Sequence, residues 1–291
     1  GFDENFNLNF MYPLIKKFYQ KFYHVLLKRH YFALTSSLRI SPNFIIIGTV
    51  RSGTTSLYYN MCEHPCIIPA AYDEIGFFDS NYHLGLSWYK SMFTTRSKKN
   101  QIQSKNKFCI TGEDTPFYIW NPLAAKRIQK LLPNVKIISQ LRNPIDRAYS
   151  NYHLGVKYGH EKLSFEQAID LELKNLEKET SDNYRIETFS RPFSYISKGL
   201  YARQLQIWFD LFPKENILIT STEEMAFNPQ HFMNKIFDFL NISKYDIKNP
   251  QKRKSENYPK IKSETRLFLS KFFKPHNEKL YSLIGKKFDW D

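Results

Sequence analysis

Residues 45–59 read IIIGTVRSGTTSLYY. The spacing Gly48-x-x-x-x-Gly53-Thr54-Thr55 is that of a phosphate-binding loop. Glycines let a backbone close on phosphate oxygens, and a following helix offers unpaired N–H groups and partial positive charge. Arg51 and the amides and hydroxyls of Ser52, Gly53, Thr54, Thr55 and Ser56 are therefore candidate anion donors. A nucleoside-triphosphatase loop carries Lys after the second glycine, where Thr54 stands here. No acidic strand end suggests itself as a Mg²⁺ partner, so an ATPase or GTPase is disfavoured.

A second segment has matching chemistry. In VKIISQLRNPIDRAYSNYH, an apolar run ends at Arg142, Pro144 opens a helical pattern, and Ser150 lies two turns along. Arg142 can grip a phosphate by a forked contact and Ser150 by its hydroxyl. Two anion cradles in one unit imply a nucleotide phosphorylated at two places.

The remaining chain supplies elements to position them. Strands are expected at 43–48, 108–111, 135–141 and 217–220. Helices are expected at 53–64, 86–93, 121–132, 144–158, 164–179, 195–211, 229–240 and 263–273, with Asn121 and Ser164 as caps. Residues 94–107 read as an exposed basic loop, and 71–85 as a mixed loop. Strands alternating with helices predict a mainly parallel sheet covered on both faces, with ligands beyond the carboxyl ends of the strands. Residues 10–38, aromatic and basic, read as an N-terminal helix packed on the domain or lying on a membrane surface. The expected division is an extension over 1–40 and one domain over 41–291.

The 291 residues hold 42 Lys+Arg against 28 Asp+Glu, a formal net charge of +14, which favours anionic partners. The basic residues are scattered and form no recognisable RNA or DNA module, so nucleic acid is not the expected partner. Three cysteines, Cys62, Cys66 and Cys109, are too few for a disulfide scaffold and read as bystander thiols. No metal-ligand cluster is legible, and no run of eighteen apolar residues suggests a membrane span. These features favour a cytoplasmic location, with membrane association and a Golgi lumen as alternatives.

The two cradles, RSGTTSL and LRNPIDRAYSNY, resemble the donor-binding elements of sulfotransferases that use 3′-phosphoadenylyl sulfate (PAPS). DEIGFFDSNYHLGLSWY, GEDTPFYI and FKPHNEKLYSLIGKKFDW are similar, in order, to elements of heparan-sulfate-type N- and 3-O-sulfotransferases. The resemblance covers about residues 43–290. It implies a P-loop-type three-layer α/β fold, PAPS as co-substrate, PAP as product, and no metal. It places Arg51 and residues 52–56 on the 5′-phosphosulfate and Arg142 and Ser150 on the 3′-phosphate. It makes Glu74 the general base, with Asp73 and Asp79 as weaker candidates. The loop 252–258 stands where these enzymes carry a Lys-Gly-Arg clamp, which implies Arg253 and Lys254 as further donor contacts, although Glu256 falls where Arg is expected. Arg51 occupies a Lys position of the heparan-type enzymes, so electrostatic help replaces proton donation. Asp114 replaces a Lys used by some of them. Glu113, His83 and Trp88 are candidate acceptor-pocket residues, as are the aromatics Phe77, Tyr82, Phe117 and Tyr118. His83 reads equally as a solvated loop residue, and His153 as a packing or hydrogen-bonding residue rather than a catalytic one. The acceptor is expected to be a glycan or, alternatively, a small metabolite. A non-catalytic PAP- or polyanion-binding module is a further alternative.

Overall fold

The computed structural model describes residues 29–104, 108–178, 194–248 and 258–290. Its centre is a five-stranded sheet in the order β2-β3-β1-β4-β5. The strands are β1 (Phe44–Gly48), β2 (Ile67–Pro69), β3 (Ile110–Asp114), β4 (Lys136–Leu141) and β5 (Ile217–Ser221). Every pairing is parallel.

The apolar run of β1 explains its place at the centre. Side chains alternate across a strand, so Ile45 and Ile47 enter one core and Phe44 and Ile46 the other. β4 divides likewise, with Ile137 and Ile138 on opposite sides. A strand apolar on both faces must be covered on both faces. The helices Pro122–Leu131 and Tyr201–Leu211 cover one face, through Ala124, Ala125, Ile128, Leu205 and Trp208. Thr54–Cys62 and Pro229–Phe239 cover the other, through Leu57, Met61, Phe232, Met233 and Ile236.

The expected caps are present. The Asn121 side chain accepts from the amides of Leu123 and Ala124 at 3.0 and 3.2 Å, and Pro122 opens the helix. The Ser164 hydroxyl accepts from Gln167 N at 3.2 Å.

Several elements differ from the sequence reading. Residues 96–103 form a helix rather than a loop, because Thr95 caps it by accepting from Lys98 N. The strand expected at 108–111 runs over Ile110–Asp114, so its polar end lies inside the sheet. β2 and the short helix Thr222–Phe227 were not foreseen. The former is three residues broken by Pro69, too short to show a period. The last helix runs from Ser263 to Ile284, through Pro275, where the sequence suggested a stop near 273. Leu269, Phe273, Asn277 and Leu280 are buried along one stripe of it, and that packing outweighs the amide Pro275 lacks. Of the expected N-terminal helix, only Arg29–Ala33 and the 3-10 turn Ser36–Leu38 fall within the described residues.

Candidate active site

β1 ends at Gly48, where the chain passes close under the segment after β3. A Cβ there would meet Ile119 Cγ2 at 2.7 Å and the Pro116 carbonyl at 3.0 Å, so only glycine fits. The loop then rises to Gly53, whose φ of 76° caps the helix Thr54–Cys62 in a conformation natural to glycine. The amides of the first helical turn have no partners within their own helix.

The loop is held from the ends of two neighbouring strands. Thr49 N donates to the Gln140 carbonyl at 2.8 Å. The Ser52 carbonyl accepts from Gln140 Nε2 at 2.6 Å and from Thr222 Oγ1 at 2.7 Å. Thr222 Oγ1 also lies 3.0 Å from the Leu141 carbonyl. Gln140 and Thr222 thus fix the cradle's shape from the ends of β4 and β5. The sequence reading missed both. A lone buried amide in the apolar stretch IISQL was the available signal for Gln140.

The second segment adjoins the first. Arg142 Nη1 donates to the Arg51 carbonyl at 3.0 Å. Arg51 Nε donates to Ser150 Oγ at 2.9 Å. Tyr201 Oη fixes the turn by donating to the Arg142 carbonyl at 2.8 Å. Asn143 caps the helix Pro144–Lys157 by accepting from Ile145 N at 2.9 Å. Its own amide group donates to the Trp290 carbonyl at 2.9 Å. The Trp290 indole and the Asn143 backbone both donate to Glu223. The chain's last described residue is therefore part of the scaffold behind the second cradle. Arg51 and Ser150, expected on opposite phosphate groups, meet here, and the loops after β1 and β4 adjoin. Arg253 and Lys254 lie outside the described residues, as does Glu256.

The wall beside β3 is acidic. Asp114, at the last position of that strand, is fully buried. The absence of an acidic strand end, inferred from sequence, is thus corrected: Asp114 ends β3 beside Thr54. Burial drives its carboxyl well above the ordinary range, and Glu74 and Asp73 add to that. Glu74 N donates to the Asp114 carbonyl at 2.8 Å. Glu74 has a φ of 51°, and its side chain is exposed. Gly76 N donates to Thr115 Oγ1 at 3.2 Å, so residues 74–76 are stitched to the end of β3. Asp73 Oδ2 accepts from Tyr59 Oη at 2.5 Å, and Asp79 Oδ1 accepts from Ser80 N at 2.5 Å. Burial raises the Asp79 carboxyl, against its bonds to Ser80.

Several expected acceptor residues belong to the core instead. Glu113 is fully buried and accepts from Tyr89 Oη at 2.6 Å and Thr115 Oγ1 at 2.8 Å. Burial moves its carboxyl up to about 7. Trp88, Phe77 and Tyr118 are also buried, in a cluster where Phe77 stacks on Tyr89 at 4.5 Å. Hydrophobic burial and mutual ring packing account for these aromatics, leaving them no surface for a ligand. Phe117 stays 40% exposed. His83 is exposed on a 3-10 turn. His153 stacks on Tyr258 at 4.4 Å, in keeping with the packing role expected of it. Lys198 was missed by the sequence reading. It is buried with its ammonium 4.5 Å from the Trp120 ring, and burial lowers its pKa to about 7. A single Lys in a polar stretch gave no signal for that placement.

Residues 41–279 match the family model of the sulfotransferase domain. The chain belongs to the sulfotransferase family. It is 30% identical to the membrane-associated sulfotransferase kil1 of Dictyostelium discoideum, over 86% of this chain and 66% of that protein. It is 29% identical to mouse heparan sulfate glucosamine 3-O-sulfotransferase 3B1, over 86% of this chain and 65% of that protein. With the human bifunctional heparan sulfate N-deacetylase/N-sulfotransferase 2 it shares 28% identity, over 84% of this chain and 30% of that enzyme. This sulfotransferase therefore spans less than two thirds of the length of each. A solved sulfotransferase from Alicyclobacillus acidocaldarius superposes with a TM-score of 0.65 at 25% identity, covering 86% of this chain and 98% of that one. The family and this superposition bear out the P-loop-type α/β fold expected from sequence.

Among the described residues no group of three or more His, Cys, Asp or Glu side chains is placed to hold a metal. The three cysteines are free thiols, with Cys66 and Cys109 buried.

Proposed function

We propose that this sulfotransferase moves a sulfuryl group from PAPS to a hydroxyl or amine of a carbohydrate acceptor, releasing PAP. One observation carries this reading: Arg51, Arg142 and Ser150 join the loops after β1 and β4 into one site, through bonds of 2.9 and 3.0 Å. A nucleotide with phosphate on both sides of its ribose matches two adjoining cradles.

In the proposed reaction the acceptor oxygen or nitrogen attacks the sulfur of PAPS. The bond between sulfur and the bridging phosphate oxygen breaks, and its electrons leave with PAP. Arg51 and the amides at the start of the helix Thr54–Cys62 meet the charge that develops there. Arg keeps its proton at neutral pH, so its help is electrostatic. Glu74 takes the proton that the acceptor gives up. Its exposed position on a loop stitched to β3 supports that role. Arg142 and Ser150 hold the 3′-phosphate, with Arg253 and Lys254 as further donor contacts.

A carbohydrate acceptor is supported by the relatives that act on heparan sulfate. His83 and Phe117 are exposed candidates to meet it. A peripheral membrane location follows the description of the Dictyostelium relative, and cell fractionation of the full-length protein tests it. Among the described residues no helix is long and apolar enough to cross a membrane.

Calorimetry with PAP and a panel of acceptors with labelled PAPS test the function. Association with PAP and label in a glycan are the expected results. No heat with PAP at millimolar concentration refutes the reading, and label entering only small metabolites overturns the carbohydrate assignment. Glu74→Gln is expected to abolish transfer while leaving PAP affinity unchanged. Transfer retained in that variant removes Glu74 from the base role.

A further inference from the structure

Asp114 is poorly placed to be an anion. Both of its carboxylate oxygens are buried, and neither has a hydrogen-bond partner among the described residues. Thr54 lies alongside and favours the charged form, but no bond of good geometry reaches either oxygen. A buried carboxylate without a partner costs several kcal/mol, and a protein avoids that cost by keeping the acid protonated. The ionisable groups that act most strongly on Asp114 are themselves acids. Glu74 and Asp73 face it from the loop after β2, and Glu113 precedes it on β3. Tyr59 and Cys62 face it from the helix Thr54–Cys62.

Its location gives the protonation a use. Through its carbonyl, Asp114 accepts the backbone N–H of Glu74 at 2.8 Å, which ties the proposed base to the end of β3. Through its side chain it lies against Thr54, the first residue of the helix that faces the donor phosphate. A negative charge there would repel the phosphosulfate and hold the acceptor proton on Glu74. An uncharged acid does neither.

We propose that Asp114 is a positioning residue that holds a proton, so that Glu74 alone carries the negative charge of this carboxyl pair. The proposal rests on the reading of Glu74 as the base. Two nearby carboxyl groups in one site rarely ionise together, and the one without solvent keeps the proton. Ionisation of Asp114 then sets an alkaline limit on both donor binding and transfer. The acid opposite the donor is tolerated because it is neutral, and the site does not need the cation that some relatives place there.

The test compares wild type, Asp114→Asn and Glu74→Gln from about pH 6 to about pH 9.5, reading PAP affinity and single-turnover transfer with PAPS. Asn keeps the shape and cannot ionise. In wild type both quantities are expected to fall at alkaline pH, and in Asp114→Asn that fall is expected to move up by a pH unit or more. Above the onset of the wild-type fall the difference grows by up to about tenfold per pH unit in each quantity. Infrared difference spectra are expected to show a protonated-carboxyl stretch in wild type that Asp114→Asn lacks. Superimposable pH profiles, or no difference in that stretch, overturn the proposal. If Asp114→Asn does not fold, the stretch is read in wild type at about pH 8.5, above the Glu113 titration at about 7. Its persistence supports a protonated Asp114, and its absence refutes one. Transfer retained in Glu74→Gln defeats the base assignment alone, because the infrared band and the pH dependence of PAP affinity do not require Glu74.

Discussion

Arg142→Ala removes one side chain from the join between the two cradles. Its guanidinium donates to the Arg51 carbonyl at 3.0 Å, while a guanidinium has five N–H donors in all. A forked contact to a phosphate remains geometrically open. Hydrogen bonds to charged groups contribute about 1.5–3 kcal/mol each, and Arg142 is only half-buried, so the lower figure applies. Loss of a forked pair then weakens PAP by about 3 kcal/mol, or about a hundredfold. The backbone turn should survive, because Tyr201 bonds the Arg142 carbonyl rather than its side chain. Calorimetry at fixed ionic strength, with PAP and with adenosine 5′-phosphate, isolates the contact. If Arg142 reads the 3′-phosphate, wild type prefers PAP strongly and Arg142→Ala loses most of that preference. Its affinity for the singly phosphorylated nucleotide should change about threefold or less, the effect of a loosened Arg51 carbonyl. Equal losses for both nucleotides, or PAP binding within about threefold of wild type, would refute the assignment of Arg142 to the second phosphate.

Arg51→Ala is expected to lower single-turnover transfer by about a hundredfold or more, in line with removal of a preorganised charge stabiliser, and near-normal turnover refutes that role. Gly48→Ala should destabilise the fold by about 1–3 kcal/mol, because the new methyl meets Ile119 and the Pro116 carbonyl. An unchanged thermal midpoint contradicts that packing. Glu113 has its carboxyl raised from 4.5 to about 7, so its stabilising contribution is complete below the unfolded-state value and lost as pH rises through about 7. Denaturant titrations should show wild type losing up to about 3 kcal/mol relative to Glu113→Gln across that window. Parallel stability curves rule out a protonated Glu113.

The proposed donor side could be read from sequence because its chemistry is local. A cradle needs glycines, hydroxyls and a cation within one turn of a strand end, and residues 48–56 hold all of them. The same applies to Arg142, Pro144 and Ser150. The join between them was not legible: the Arg51–Ser150 bond spans 99 residues and depends on β1 and β4 lying side by side. The acceptor side was misread for a related reason. Phe77, Trp88 and Tyr118 are apolar and near a catalytic motif, but residue type alone cannot separate a sugar platform from a core. Ring packing among Phe77, Phe78, Trp88, Tyr89 and Tyr118 decided for the core. Glu113 and Asp114 show the same limit more sharply, since adjacent acids on one strand face opposite ways. Glu113 points into a cluster of hydroxyls that satisfy it. Asp114 points toward Thr54 of the phosphate loop, with neither oxygen hydrogen-bonded. Their alternation follows from strand geometry. Only the partners that the fold brings to each face separate a structural acid from one that sets the charge of the site.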